Sequence, residues 1–323
     1  MKSFGIWIVG FGLVLTAGSL FARTERVEAY GYEDCIRISN DEVEVVLDPN
    51  VGGRVLAYTR NGTNVLYINK ELNGKIYRGP DDFFEVCAGR IDIGHGFPSR
   101  PDLWIKKWAS EITGEWSARM TSEVCSVTGF QLVRDFTLVE KGSRLEVTQT
   151  ITNRTDETKR VSHWGRTFVT GGGIAYAPIN PDSRYDEGFA TNGEKNGSIL
   201  VRHEDHPSVR IREGVLEIFK SPPFHKFYMD GHEGWLAYLT PENLLFYKTY
   251  KIFPEAMYGD RMASTASIWY SGDRVCEIEP MGPLVYLEPE ESTEFSEQWY
   301  LVDFDYPEDG SVDLEQLKII VSK

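Results

Sequence analysis

Positive charge, cysteine and helical periodicity are all scarce in this 323-residue chain, and each shortage excludes something. Lys and Arg total 34 against 49 Asp and Glu, a formal net charge of −15. A chain of that sign does not hold a phosphate backbone, and electrostatic docking on anionic lipid is disfavoured for the same reason. Nucleic acid is not an expected partner. The four cysteines, Cys35, Cys87, Cys125 and Cys276, are irregularly spaced with no CxxC pair, so no structural zinc site is expected. Neither Gly-x-Ser-x-Gly nor a P-loop occurs, which argues against the common serine hydrolases and nucleotide phosphotransferases. After residue 22 no apolar run is long enough to span a bilayer.

What is present begins with MKSFGIWIVGFGLVLTAGSLFA, residues 1–22. One cation, an apolar run and small residues ending at Ala22 form a secretory signal pattern, with an uncleaved membrane anchor as the competing reading. Cleavage after Ala22 implies a periplasmic or secreted protein with no membrane attachment. In an oxidising compartment the four cysteines permit disulfides whose pairing the sequence does not specify, and buried thiols fit equally well.

The remainder alternates short runs of Val, Ile, Tyr, Phe, Trp and Thr with Gly, Asn, Asp and Pro, which is the pattern of a mainly β protein. Residues 43–67 read as a meander of antiparallel strands. Further strands are expected at 130–139, 143–152, 162–169, 215–219, 234–239, 244–250, 267–270, 275–279, 284–287 and 293–302. No linker or fixed-period repeat divides them, so a single antiparallel sandwich domain over 23–305 is expected, followed by a tail, 306–323, with short helical character. Residues 78–107 and 171–214 interrupt the rhythm and read as long loops. The first carries Phe83, Phe84, His95, Phe97 and Trp104, with Trp108 beyond and Arg90, Asp92 and Arg100 beside them. Such a mixture suits a sugar, with its apolar ring faces and hydroxyl edges, although aromatics also serve to pin a loop to a core.

Three stretches together resemble the galactose mutarotase-like superfamily, which includes the aldose 1-epimerases. They are VVLDPNVGGRVLAYTRNGTNVLY (45–67), TQTITNRTDETKRVSHWGRTFV (148–169) and VCEIEPMGPLVYLEPEESTEFSEQWYLV (275–302). Their order and spacing are similar to the opening hairpins, the strand that carries a catalytic His in epimerases, and the closing Glu-x-Trp strand. The fit is closest to the uncharacterised bacterial families of that superfamily. The epimerase His-Pro-Tyr-Phe-like signature is here Ser162-His163-Trp164-Gly165. The resemblance implies a β-supersandwich and mutarotase-like acid/base chemistry on a sugar, with no metal or cofactor.

Mutarotation needs one group to take the proton of the anomeric hydroxyl and another to protonate the ring oxygen. Period-2 alternation puts Glu277 and Glu279 on one face of their strand, where two carboxylates can line a cleft and shift each other's proton affinity. The resemblance places the base on a late strand of this kind and the acid at His163. Arg166 falls opposite His163 on a regular strand, so a site shared by the two requires a bulge. His95, between Gly94 and Gly96, is the other acid candidate. Arg54, Arg90, Trp104, Trp164, Arg166, Lys248 and Asp260, the last close to Tyr258, are candidates for holding a mono- or oligosaccharide. The cluster His203-Glu204-Asp205-His206 sits in a polar loop without the rigid spacing that metal ligands need. Two alternatives remain: a non-catalytic carbohydrate-binding protein, and a polysaccharide lyase using His95, Arg90, Arg100 and Tyr258 on a uronate. The latter usually has a further helical domain, for which this chain has no room.

Overall fold

The computed structural model describes residues 23–79, 87–94, 101–192, 199–200, 206–219, 222, 225–259, 262–272, 274–307 and 311–322. Among them no helix is long and apolar enough to cross a membrane, and all four cysteines are buried free thiols.

Two antiparallel sheets form the sandwich. In spatial order the first runs Thr24–Ala29, Tyr32–Ser39, Val43–Asp48, Arg54–Arg60, Gly89–Gly94, Lys159–Thr170, Val275–Pro280, Ala266–Ser271, Lys226–Met229, Phe189–Asn192 and Ile199–Leu200. Two short strands, Thr63–Asn64 and Val285–Leu287, pair beside it. The second runs Val209–Arg212, Val215–Ile218, Ile174–Pro178, Trp235–Leu239, Leu244–Tyr250, Ser292–Asp303, Leu145–Asn153, Phe130–Leu138, Ser117–Thr121 and Ala109–Gly114. The expected meander at 43–67 and the later strands are present, with ends displaced by up to about three residues.

The two long segments differ from expectation. Residues 89–94 form a central strand, because Ile91 and Ile93 point into the core while Arg90 and Asp92 alternate with them. Both charged residues are themselves buried, and it is their polarity that makes the segment read as a loop. Pro101–Trp104 is one helical turn. The second segment contributes the strands Ile174–Pro178, Phe189–Asn192, Ile199–Leu200 and Val209–Arg212, each too short to show a period.

Alternation builds the core. In Phe130–Leu138 every even-numbered residue is buried, and Leu132 and Phe136 meet Ile91, Phe227, Ile268 and Ile278 of the other sheet in one apolar cluster. After Asp305 the chain forms the helix Leu314–Val321, capped by the Asp313 carboxylate, which accepts from the Gln316 amide at 3.1 Å. Leu314, Leu317 and Val321 pack on Trp235, Leu239 and Tyr247 across the outer face of the second sheet.

Several inward positions are polar, and they converge. Arg134 Nε donates to Gln149 Oε1 at 2.9 Å, Gln149 Nε2 lies 3.3 Å from His163 Nδ1, and Lys248 Nζ lies 2.7 Å from Glu297 Oε2 with both side chains fully buried. Glu297 reaches the opposite sheet because residue 165 is glycine: a Cβ there would stand 2.0 Å from Glu297 Oε1 and 2.9 Å from Pro280 Cδ. Gly165→Ala is therefore expected to lower stability by about 3 kcal/mol through overpacking of a buried ion pair. Urea unfolding measures it, and a change within about 0.5 kcal/mol would mean that Glu297 does not press on this strand.

Candidate functional site: a charged, aromatic-walled cleft on the first sheet

The outward face of the first sheet carries the complement of the core pattern. Where Val169, Cys276, Ile278, Ile268 and Phe227 point inward, Phe168, Glu277, Glu279, Trp269 and Lys226 point out. Strand register then brings them into rows. Phe168 stands opposite Glu277, Glu277 opposite Trp269, and Trp269 opposite Lys226. Two residues along, Ser267 faces Glu279, and continuing the register to the Trp164–Met281 bridge sets Arg166 beside Glu279. Tyr67 closes one side, its amide donating to the Phe168 carbonyl at 2.8 Å. The result is a cleft of about 350 Å³ with walls of Tyr67, Trp164, Phe168 and Trp269 and a charged floor of Arg166, Lys226, Glu277 and Glu279.

The floor is ordered by its charges. Arg166 Nε donates to Glu277 Oε1 at 2.7 Å, and its guanidinium lies 4.2 Å from the Trp164 ring, 5.2 Å from Phe168 and 5.5 Å from Trp104. Those contacts hold the cation in a plane. Glu279 Oε2 accepts from the Trp164 indole at 3.1 Å, from the Ser267 hydroxyl and from the Lys226 ammonium. The two carboxyls are thereby driven apart in proton affinity. Burial pushes Glu277 up, opposed by Arg166 and reinforced by the neighbouring charge of Glu279. Burial acts on Glu279 in the same sense, but Lys226 and the other donors outweigh it and hold that carboxylate below its ordinary range. A pair separated in this way offers one fixed anion and one group able to gain or lose a proton near neutrality.

Of the residues expected to act together, the structure gathers Glu277, Glu279, Trp164 and Arg166, with the half-buried Trp104 ring against Arg166. It does not gather the others. His163 is 1% exposed in the core, stacked on Phe295 at 5.7 Å between ring centroids. The reason is regular pairing: residues 162–167 run in unbroken register with 89–94, so no bulge turns His163 toward Arg166. Lys248 is fully buried beneath the cleft in its ion pair with Glu297, out of reach of a sugar. Arg54 is buried against Asp48 at 2.9 Å and Cys87 Sγ at 3.2 Å. Arg90 lies behind the wall, donating to the Trp104 carbonyl at 2.6 Å. Trp108 pins its segment to the core, its ring 4.4 Å from the Arg134 guanidinium. Tyr258 is buried away from the cleft wall, and its hydroxyl accepts the Phe253 amide at 3.0 Å. His95 and Asp260 lie outside the described residues, as do Phe83, Phe84, Phe97, Arg100 and His203 to Asp205. Lys226, Ser267, Trp269, Tyr67 and Phe168 were not anticipated. Trp269 and Ser267 alternate with Ile268 and Tyr270, a signal that assigns a face but not the neighbour opposite.

The fold is that of the galactose mutarotase-like proteins. A galactose mutarotase-like protein from Clostridium acetobutylicum superposes with a TM-score of 0.57 at 13% identity, over 87% of this chain and 98% of its own. One from Lactobacillus casei gives 0.56 at 11%, over 83% and 100%. A TPR-domain containing protein from Parabacteroides distasonis gives 0.57 at 17%, over 86% of this chain, which spans 48% of that protein's length. The sequence matches no protein-family model and no curated protein.

His163 provides a test of the burial pattern. Burial drives its imidazole from the ordinary value of 6.5 down to about 3, so the folded protein keeps it neutral while the unfolded chain protonates it below 6.5. Stability from this group is present above pH 6.5 and is lost as pH falls from there toward about 3, with a slope of up to about 1.4 kcal/mol per unit. Chemical denaturation of wild type and His163→Gln across pH 7 to 4 is expected to show the wild type losing more. Parallel curves would place His163 in contact with water.

Proposed function

We propose that this chain is a secreted or periplasmic carbohydrate-active protein that binds a mono- or oligosaccharide in the cleft and exchanges its anomers by mutarotase-like proton transfer. The observation that carries the reading is the Glu277 and Glu279 pair, set side by side under aromatic walls with proton affinities pushed apart. Aromatic rings suit the C–H faces of a pyranose, and the Arg166, Lys226 and carboxylate groups suit its hydroxyls.

In this reading Glu277 is the proton-transfer group. As carboxylate it takes the proton of the anomeric hydroxyl; the bond from C1 to the ring oxygen breaks as that oxygen gains a proton from the Lys226 ammonium or from water. The open-chain aldehyde turns about C1–C2 and closes on its other face, returning both protons. Glu279 stays ionised and holds Lys226 and Trp164 in place. The signal-like residues 1–22 support export, with Arg23 as the first residue of the mature chain.

A second reading is a carbohydrate-binding protein without catalysis, favoured by the fact that both carboxylates already have cationic partners. NMR of freshly dissolved α-anomers of glucose, galactose and their uronic acids separates the two. Catalysis predicts faster anomer exchange with at least one sugar, reduced about 100-fold or more in Glu277→Gln. Ligand line broadening without acceleration would leave only binding, and neither effect would remove both readings. For export, N-terminal sequencing of the protein purified from its native host is expected to begin at Arg23; an intact Met1 would sink that part of the proposal.

A further inference from the structure

Asp92 is fully buried, and neither of its carboxylate oxygens makes a hydrogen bond. Two guanidinium groups stand at equal distance from it, Arg134 Nη2 at 3.6 Å from Oδ1 and Arg166 Nη1 at 3.6 Å from Oδ2, and the buried Arg90 on its own strand acts on it as well. Arg134 comes from the opposite sheet and is immobilised there: it donates to the carbonyls of Gly52, Gly53 and Ile91 and to Gln149, with the Trp108 ring over it. Arg166 is the cation that holds Glu277 in the cleft. A line of alternating charge therefore runs from the interior to the cleft floor: Arg134, Asp92, Arg166, Glu277.

Such a line is poor value as a device for stability. Taking charges out of water costs several kcal/mol per ion, and a buried carboxylate without hydrogen bonds recovers little of that. An apolar residue of similar size at position 92 would carry no such cost. The arrangement makes sense through what it does to Arg166. That guanidinium is shared between a carboxylate behind the wall and one in the cleft, so each weakens the hold on the other.

We propose that Asp92 is a positioning residue for the cleft: lodged between the guanidinium groups of Arg134 and Arg166, it anchors Arg166 from the neighbouring strand and governs how firmly Arg166 holds Glu277. The inference rests on the reading of the cleft as the working site and adds a residue that touches no ligand. Other charged groups act on Glu277 as well, namely Glu279 on its own strand, Lys226 across the cleft, and Lys248 with Glu297 beneath the sheet. The neighbouring strand Ala266–Ser271 adds no charged group on this face, where it presents Ser267, Trp269 and Ser271. Glu279 also feels Arg166, but Asp92 is the carboxylate that stands within 4 Å of the Arg166 guanidinium alongside Glu277.

The test is the titration of the Glu277 carboxyl, followed by carbon-13 NMR in the full-length protein. Asp92→Asn keeps the shape and removes the competing charge, so the Glu277 titration is expected to move down by about one pH unit. Asp92→Glu restores the charge and is expected to bring the midpoint back toward wild type. A Glu277 midpoint unmoved in Asp92→Asn overturns the proposal; so does an equal fall in both variants, which would mean that any substitution loosens the wall and lets in water. In the unsubstituted protein, Arg166 held from both sides is expected to show separate Nη nitrogen signals, and one averaged signal would likewise overturn it. Anomer exchange measured alongside keeps the two conclusions apart. A shifted Glu277 titration in a protein that accelerates no sugar leaves the role of Asp92 standing and removes only the catalytic reading.

Discussion

The site depends on one cation, the guanidinium of Arg166. It allows two carboxylates, Asp92 and Glu277, to be taken out of water on either side of the same strand, and it supplies the charged surface against which Trp104, Trp164 and Phe168 are arrayed. A lysine could not take its place, because the contacts need a flat group that donates along its edges while stacking on its faces. With Arg166 in position, Glu277 sits next to Glu279 without both being forced neutral, and Lys226 completes the balance from the far side of the cleft.

The stability of the molecule comes from elsewhere. Two sheets bury an apolar cluster in which Val, Ile, Leu and Phe alternate along nearly every strand, and the C-terminal helix covers part of the second sheet's outer face. Against that background the polar interior residues Arg134, Gln149, His163, Lys248 and Glu297 are costly exceptions. They gather behind the strand that carries Trp164 and Arg166, and Gly165 is the opening through which Glu297 approaches it. The cleft thus has a polar foundation as well as a polar floor, and the field at its carboxylates is composed from both sheets.

A shared fold carries many chemistries, and the likeness to galactose mutarotase-like proteins at 11 to 13% identity defines architecture alone. The position where a histidine was expected to serve as acid is turned into the core, and of the two cleft carboxyls Glu277 is the one whose proton affinity burial raises. Chemistry proposed for the cleft therefore has to be argued from paired glutamates, a guanidinium and an ammonium.

By itself the sequence determined the class of fold, most of the later strands and the face shared by Glu277 and Glu279, because a period of two is a local property that each strand displays alone. It also held the information that His163 and Arg166 point to opposite sides, since three residues along a regular strand reverses the face. Which strands lie next to each other is not local. Lys226 is distant in the chain from Trp269 and Glu277 and meets them only through register across three strands, while Asp92 reads as a loop residue until Arg134 and Arg166 close around it. Tertiary structure alone decided which charges were buried together, because the free energy of a buried charge depends on partners brought from another strand or another sheet.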